Sequence, residues 1–305
     1  MIYTVTLNPA VDYKIKLKEL KTGKLNRTDE AHVFAGGKGL NVSIVLNNLG
    51  MKSIATGFLG GFTGNFIKHE LKKFPYIYDY FVEIEHDTRI NIKINDEHHE
   101  TEINPNGPII KEDDFSKLLD DLKDLNAQDT VIVSGSTAYG QDLCYRRIAE
   151  ICNKKQVKFV MDIPGKYFHE FLEFKPFLIK PNIDELKEYF DTDIQTLDDI
   201  VTYGKKLVEL GAEHVIISLG KKGSVFLSQS RILTADAIEL DLKSTTGAGD
   251  SMVAGFVYAY HQDKDLAKSY QYAVATATAT IHADHLASKH EVELYLNQVV
   301  LKEIT

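Results

Sequence analysis

A glycine-rich turn is the clearest chemical feature of this 305-residue sequence. Gly247, Ala248, Gly249 and Asp250 stand just before an apolar segment of helical character at residues 252–259. Free N–H groups and the positive end of the helix dipole at such a turn make an anion site. The dipole is predicted to keep Asp250 ionised, and a carboxylate can accept a proton from a hydroxyl. An anion site beside a base suits phosphoryl transfer, whereas an ordinary glycine turn capped by Asp250 is the competing interpretation.

A second glycine-rich segment spans residues 35–43 and contains Gly37, Lys38 and Asn41. Its glycines permit a ligand to approach the backbone closely, and a cation and an amide stand beside them. This combination suits a polyhydroxylated or phosphorylated ligand. The segment opens a predicted helix, and glycine loops before helices are common, so it carries little weight by itself.

Neither segment matches a common nucleotide-binding motif. No G-x-x-x-x-G-K-[ST] occurs, which excludes a P-loop protein, and Met252 replaces the third glycine of a G-x-G-x-x-G pattern that begins at Gly247. No strand-end acidic residue follows about 20 residues later, so a dinucleotide site is not predicted. An NAD-dependent dehydrogenase is therefore the weaker enzyme alternative.

Strand and helix patterns alternate along the chain. Short β-branched runs predict strands at residues 2–7, 53–58, 130–134, 157–162, 177–180 and 214–219. Apolar residues spaced at i, i+3, i+4 and i+7 predict amphipathic helices between most of these strands. Examples lie at residues 40–49, 115–125, 143–152 and 200–210. The alternation predicts an α/β fold, a doubly wound and mainly parallel sheet flanked by helices.

Two stretches follow a different pattern. Residues 11–35 and about 88–104 alternate apolar and polar side chains with a period of two, which is typical of half-exposed antiparallel strands. They predict a small β-sheet lid beside the α/β body, with a hairpin turn at residues 95–97. Surface hairpins without a role are the alternative interpretation. Residues 1–305 are expected to form a single domain into which the lid strands are inserted.

Composition narrows the possible partners. The 35 basic and 44 acidic side chains give a net charge of −9, so nucleic acid and anionic membranes are not predicted partners and an anionic ligand needs a local site. No apolar run approaches the roughly 18 residues of a membrane span, and the first residues are not predicted to form a signal peptide. The only cysteines, Cys144 and Cys152, fit a reducing compartment. A cytoplasmic location is expected.

The two glycine segments, in this order and at this separation, resemble the signatures of the PfkB, or ribokinase-like, sugar kinase family. Further motifs extend the resemblance over the whole chain, at residues 8–12, 87–91, 134–136, 180–185 and 218–223. The sequence is most similar to the branch that phosphorylates ketohexose monophosphates with ATP and Mg²⁺. Segments 87–91 and 101–108 favour fructose 1-phosphate, converted to fructose 1,6-bisphosphate, over tagatose 6-phosphate. A non-catalytic sugar-phosphate sensor is the alternative of a different class.

The resemblance implies roles on the nucleotide side. Gly247, Ala248 and Gly249 would form the oxyanion site for the γ-phosphate, and Asp250 would be the catalytic base. Glu185 belongs to an N-x-x-E motif whose carboxylate holds Mg²⁺, usually through water, together with the motif's asparagine. The residues assigned to ATP would be Lys180, Asn182, Ser218, Gly220, Lys221, Gly223 and Thr246.

It also implies roles around the sugar. Asp12, at the carboxyl end of the first strand, would bind a sugar hydroxyl, as ligand sites in open α/β sheets cluster at such ends. Gly37, Lys38 and Asn41 would join it. Ser136 is a further sugar contact, although the chain departs from the family's usual Pro-Gly turn at residues 137–140.

The substrate's existing phosphate needs a cation. Arg89, on a predicted lid strand, is the first candidate because the planar guanidinium grips phosphate bidentately. Arg27 is a weaker candidate and would reach the phosphate from a neighbouring subunit. The exposed edges and apolar face of the lid strands predict a homodimer formed through the lid.

Overall fold

The structure is a computed structural model, and it describes residues 1–137, 143–238, 246–283 and 285–304. Its strands are β1 (Ile2–Thr6), β2 (Ala10–Lys16), β3 (Glu30–Gly36), β4 (Ser53–Gly60), β5 (Ile77–Ile84), β6 (Arg89–Asn95), β7 (Glu100–Ile103), β8 (Thr130–Ser134), β9 (Lys158–Asp162), β10 (Leu178–Ile179), β11 (His214–Ser218), β12 (Ser224–Ser228), β13 (Ile232–Ala235) and β14 (Leu301–Ile304). Its α-helices are α1 (Lys38–Asn48), α2 (Gly61–Leu71), α3 (Glu112–Asp121), α4 (Cys144–Lys154), α5 (Ile183–Phe190), α6 (Leu197–Glu209), α7 (Ala248–Asp263), α8 (Leu266–His282) and α9 (Lys289–Leu296).

A large, mainly parallel sheet forms the body of the molecule. Within the described ranges its strand order is β14-β13-β12-β11-β10-β9-β8-β1-β4-β5. Neighbouring strands from β11 to β5 run parallel, and β12, β13 and β14 extend one edge in antiparallel fashion. Val131, Ile132 and Val133 of the central strand β8 are all fully buried. Such continuous burial is expected of a parallel strand that has helices on both faces.

Helices cover both faces of this sheet. Val131 and Val133 share a hydrophobic cluster with Phe115 of α3, whereas Ile132 belongs to a cluster with Val253 of α7. Side chains from α4, α5 and α6 join the first cluster, and side chains from α1, α8 and α9 join the second. The predicted doubly wound α/β fold is therefore confirmed. Among the described helices, none combines the length and the apolar character that crossing a bilayer requires.

Four of the described strands form a separate sheet, in the order β3-β2-β6-β7, and this sheet is the predicted lid. The pairs β2–β3 and β6–β7 are antiparallel, but β2 and β6 run parallel, so the all-antiparallel prediction was wrong at that pair. The cause lies in the connections. Strand β2 follows β1 and β6 follows β5, and because β1, β4 and β5 run parallel, both chains enter the lid in the same direction.

The lid hairpin between β6 and β7 turns around Asp96, inside the predicted turn. Its carboxylate accepts hydrogen bonds from the backbone N–H groups of His98, His99 and Leu20. These bonds lower the pKa of Asp96 to about 2. The same side chain thus orders the hairpin and ties it to the loop between β2 and β3.

Candidate active site at the junction of body and lid

The glycine turn lies where the sequence predicts it, at the N-terminus of α7. Gly247 is the N-cap and has φ of 81°, in the left-handed region that favours glycine. A Cβ on Gly247 would also lie only 2.7 Å from a methyl carbon of Leu286. Asp250 is in the first turn of α7, buried to 5% exposure, and its Oδ2 accepts a 2.7 Å hydrogen bond from the side-chain amide of Asn41.

The pKa of Asp250 is raised, whereas the helix dipole alone would lower it, but a carboxyl group with a pKa of about 6 is still mostly ionised at neutral pH. Burial, and next the negative charge of Asp162, raise its pKa to about 6. The ammonium groups of Lys38 and Lys180 and the hydrogen bond from Asn41 act in the opposite direction without cancelling the rise. A carboxylate with a pKa near 6 is better matched to proton abstraction near neutral pH than an ordinary aspartate.

Two lysines converge beside this turn on one acidic residue. The Nζ atoms of Lys38 and Lys180 lie 3.4 and 3.2 Å from Oδ1 of Asp162. A Cβ on Gly249 would lie 3.0 Å from Nζ of Lys180, so this glycine leaves room for the ammonium group at the start of α7. Asp162 raises the pKa of Lys38. Burial alone would raise the pKa of Asp162, but the two lysines outweigh it and lower that pKa.

The predicted metal-binding motif forms the start of α5. Oδ1 of Asn182 accepts the backbone N–H of Glu185 at 2.8 Å, and Oε2 of Glu185 accepts the backbone N–H of Asn182 at 2.9 Å. This reciprocal capping box uses one oxygen of each side chain. Burial raises the pKa of Glu185. The charges of Lys38 and of Lys180, which directly follows β10, act on this pKa in the opposite direction.

The predicted nucleotide segment lies next to this motif. Ser218, at the end of β11, forms a parallel bridge with Asn182. A short 3₁₀ turn, Gly220–Lys222, which contains Lys221, then leads to Gly223 and β12. Gly223 has φ of 90°, and a Cβ there would meet the carbonyl oxygen of Ala235 at 2.0 Å. Residues 239–245, before Thr246, lie outside the described residues.

A cavity of about 310 Å³ separates the lid from the body. Asp12 and Lys93 line its lid side, and Asn41, Thr246 and Gly247 line its body side. Asp12 is therefore placed at the cavity, but not at the end of β1 as expected. The chain leaves β1 at Thr6 and enters the lid at Ala10. Asp12 therefore lies within β2, on the lid side of the cavity.

The carboxylate of Asp12 is held from several sides. The side-chain amide of Asn91 donates to Oδ1 at 2.9 Å, and Nζ of Lys93 lies 3.5 Å from Oδ2. A Cβ on Gly36 would lie 2.5 Å from Cγ of Asp12, so the glycine segment before α1 is what allows this approach. Gly37, with φ of 123°, is the N-cap of α1, and Lys38 and Asn41 follow in its first turn.

Ser136 lies in the loop after β8 and is exposed. The preceding Gly135 has φ of 95°, and a Cβ there would lie 3.7 Å from Cβ of Lys38, so the loop lies next to the start of α1. The departure from the family pattern at residues 138–140 lies outside the described residues.

The guanidinium of Arg89 holds the backbone of the neighbouring loops. Its two terminal nitrogens donate to the carbonyl oxygens of Pro105 and Asn8 at 2.9 and 3.0 Å. Nε is buried and has no hydrogen-bond partner within the described residues. Arg27 lies in the exposed loop between β2 and β3 and does not line the cavity of its own chain.

Sequence reasoning missed Asp162 and Lys93. Asp162 is the last residue of a predicted strand, and an acidic residue at the carboxyl end of an apolar parallel strand was the available signal. Lys93 occupies a polar position of the alternating lid segment, and its side chain is only 9% exposed. Nothing in the sequence distinguishes Lys93 from a solvated strand lysine.

Comparison with known proteins places the chain in a family. The sequence profile of the pfkB family carbohydrate kinases matches residues 5–290. The chain belongs to this family. The pfkB assignment makes it a phosphotransferase of a family that uses ATP, as predicted, and it decides against the dehydrogenase.

Relatives are similar over the whole length. A 1-phosphofructokinase of Borreliella burgdorferi is 43% identical over 307 aligned positions, which cover 100% of this chain and 99% of the relative. A D-tagatose-1-phosphate kinase of Bacillus licheniformis is 34% identical, with 100% of both chains covered. A crystal structure of a Staphylococcus aureus protein, 39% identical, superimposes with a TM-score of 0.88 and covers 100% of this chain and 99% of its own. This pfkB kinase is accordingly a sugar-phosphate kinase.

Proposed function

We propose that this pfkB kinase transfers the γ-phosphoryl group of ATP to the free C6 hydroxyl of fructose 1-phosphate. The products are fructose 1,6-bisphosphate and ADP. One observation carries the proposal: the buried carboxylate of Asp250, held by Asn41 in an anion-binding turn, adjoins a cavity that Asp12 lines from the lid. The name of the Borreliella burgdorferi relative supports fructose 1-phosphate as the acceptor.

The reaction uses Asp250 as its base. Asp250 takes the proton of the C6 hydroxyl, the hydroxyl oxygen forms a bond to the γ-phosphorus, and the bond from that phosphorus to the bridging oxygen of ADP breaks. The N–H groups at Gly247, Ala248 and Gly249 lie at the positive end of α7, where they stabilise the charge on the transferring group.

The two lysines supply the remaining positive charge. Lys180 stands against the glycine turn on the nucleotide side, and Lys38 stands at the start of α1 on the sugar side. The transferred group passes between them. Positioning and charge neutralisation are the main tasks of a protein in phosphoryl transfer.

Glu185 fits the magnesium ion that such kinases use with ATP. Its oxygen is a hard ligand, and burial raises its pKa, so its ionised form gains from a nearby cation. The described residues contain no cluster of three acidic, histidine or cysteine side chains that could hold a metal. This suits an ion that keeps several waters and binds substrate phosphates. Bound Mg²⁺ would be held by Glu185 with Asn182, and it would neutralise charge on the ATP phosphates.

Arg89 is proposed to bind the phosphate that the substrate already carries. Two of its five N–H donors are used by backbone carbonyls, and Nε is buried without a hydrogen-bond partner within the described residues, although Arg89 does not itself line the cavity. The charge of Asp12 acts on the guanidinium, which indicates that the two side chains share one environment. A sugar held by Asp12 would therefore place its far end within reach of Arg89.

The lid would also provide a surface for a second copy of the chain. Val33, Tyr13, Ile92 and Ile103 form one row across its four strands, in register. Tyr13, Val33 and Ile103 are 38%, 37% and 53% exposed. We propose that a homodimer covers this row, which would bring Arg27 of each subunit near its neighbour's lid. Sedimentation of the Ile103→Asp variant tests the dimer. A carboxylate within the apolar row should prevent two lids from packing together, so the variant should sediment as a monomer.

A coupled ADP-release assay tests the proposed reaction. It compares fructose 1-phosphate, tagatose 6-phosphate, tagatose 1-phosphate, fructose 6-phosphate and free fructose at equal concentrations with Mg²⁺ and ATP. We expect the highest kcat/KM with fructose 1-phosphate. A higher value with either tagatose phosphate would replace the proposed acceptor, and no ADP release with any sugar would contradict the function itself.

A further inference from the structure

Asp162 occupies an unusual electrostatic position. It ends β9 with its side chain 1% exposed, and its Oδ1 alone receives both Lys38 and Lys180. Its Oδ2 is buried and has no hydrogen-bond partner within the described residues. One carboxylate oxygen therefore anchors two ammonium groups that come from different parts of the chain.

The two lysines serve opposite sides of the reaction. Lys38 begins α1 in the sugar-binding segment, whereas Lys180 precedes α5 in the nucleotide-binding segment. Two ammonium groups this close repel each other, and a buried charge is costly unless it is paired. A buried ion triad is weak evidence that its charges stabilise the fold, because proteins in which apolar residues replace such a triad are often as stable. A role in positioning the two lysines accounts better for the location of Asp162 between the two proposed substrates.

We infer that Asp162 is a positioning residue that holds Lys38 and Lys180 side by side and keeps both ammonium groups from pairing with Asp250. This inference rests on the proposed kinase reaction, in which the γ-phosphoryl group passes between the two lysines. The lysines would then be ordered before either substrate binds, so little reorganisation is needed during transfer.

The charges around Asp250 make the inference testable. Lys38 from α1, Lys180 after β10 and Asp162 at the end of β9 are the charged groups that act on it, and Asn41 donates its hydrogen bond. Without the charge of Asp162, the lysines still interact with two carboxylates of the described residues, Asp250 and Glu185. Loss of that charge lowers the pKa of Asp250 directly, and closer approach of a lysine lowers it further.

The test uses Asp162→Asn, which keeps the shape of the side chain and removes its charge. We expect kcat with fructose 1-phosphate to fall about 10- to 100-fold, since a misplacement of about 1 Å in an active site can cost about 100-fold. The acid limb of the pH profile of kcat/KM should move to lower pH by about half a unit or more. The Kd for ATP, measured by calorimetry without sugar, should stay within about threefold of the wild-type value. The variant loses a negative charge that repels the ATP phosphates, and this gain offsets the less ordered positions of the two lysines.

Ser134→Ala is the matched control. Ser134 pairs with Asp162 in the register of β8 and β9 and is also buried, so its change disturbs the same place without altering charge. We expect wild-type kcat and an unmoved acid limb. If thermal melting reports that Asp162→Asn is unfolded, the three measurements are made on Asp162→Ser, which is smaller and leaves room for a water.

A folded variant with unchanged kcat and an unmoved acid limb overturns the inference. So does a loss of kcat accompanied by an equal loss of ATP affinity and an unmoved acid limb, because that pattern describes general structural damage. A wild-type protein that is inactive with every sugar phosphate overturns the proposed function and the inference with it. If the wild type is active and the folded Asp162→Asn variant keeps the wild-type kcat and acid limb, only the inference is overturned.

Discussion

The side chain of Asn41 donates a hydrogen bond of 2.7 Å to Asp250, a residue 209 positions away in the sequence. This bond joins the first turn of α1 to the first turn of α7. The two glycine segments that stand out in the sequence are therefore two walls of one site. Whatever binds in the sugar segment lies one hydrogen bond away from the residue proposed as the base.

The proposed base is tested by Asp250→Asn. The variant should fold, because an amide replaces a carboxyl group of the same shape, and it should still bind ATP. We expect kcat to fall by roughly 10²-fold or more, the usual contribution of a general base. Asp263→Asn, at the exposed far end of the same helix, is the control. Near-native turnover of Asp250→Asn in a sample confirmed by mass spectrometry would exclude this residue as the base.

The raised pKa of Asp250 predicts how the rate depends on pH. Only its ionised form accepts a proton, so kcat/KM should fall as pH decreases through about 6, the pKa of this carboxyl. The hydrogen bond from Asn41 lowers that pKa, so Asn41→Leu should move the acid limb to higher pH. Rates of both proteins from pH 5 to 8 provide the measurement. A wild-type kcat/KM that stays constant down to pH 5 would be inconsistent with the raised pKa of Asp250.

The proposed metal contact is tested by Glu185→Gln. A glutamine can still accept the N–H of Asn182, so the start of α5 should persist while the negative charge is lost. We expect a higher Mg²⁺ concentration for half-maximal rate and little change in KM for the sugar phosphate. Glu188→Gln, on an exposed position of the same helix, should titrate like the wild type. An unaltered Mg²⁺ dependence of Glu185→Gln would remove this carboxylate from the surroundings of the ion.

Recognition of the existing phosphate is tested by Arg89→Ala. A bidentate contact between arginine and phosphate in a closed site is a strong charge-assisted pair. Its loss should cost on the order of 2–4 kcal/mol, or about 30- to 1000-fold in kcat/KM for fructose 1-phosphate. The weaker activity on free fructose should change little. Arg231→Ala, an exposed arginine paired with Glu303, is the matched control.

The comparison of the two acceptors separates recognition from folding in Arg89→Ala. A folding defect, including one caused by the lost bonds to Pro105 and Asn8, would reduce both activities in the same proportion. Equal losses on both acceptors, or no loss on either, would mean that another cation reads the phosphate. Lys93, which lines the cavity beside Asp12, would then be the next residue to change.

Local patterns were sufficient to predict most of the body. Apolar β-branched runs become parallel strands such as β8 and β9, because only a strand covered on both faces needs continuous burial. The glycine turn before α7 was equally predictable, since its conformation is determined within a few residues. The parallel pairing of β2 with β6 was not, because it depends on the directions of β1 and β5 in a different sheet.

The site could be predicted only where its residues belong to a motif. Asp250, Asn41 and Lys180 are marked by glycines or by a helix start, and the fold brings them together. The only local signal for Asp162 is its place at the carboxyl end of an apolar strand, and its importance comes from two lysines that are 124 positions before and 18 positions after it. The raised pKa of Asp250 could not be predicted from the sequence either, since it depends on burial and on the distant carboxylate of Asp162.

The hairpin of β2 and β3 starts and finishes on the body of the protein. It begins at Ala10, shortly after β1, and it ends at Gly36, next to the N-cap of α1. Asp12 lies against Gly36 at the base of this hairpin, so the lid and the glycine turn proposed to bind the sugar share one packed contact. The lid is consequently not an exchangeable module. A chimaera that takes residues 10–35 from a relative with another acceptor should lose activity, and a transplant of acceptor preference must carry residues 10–41 as one piece.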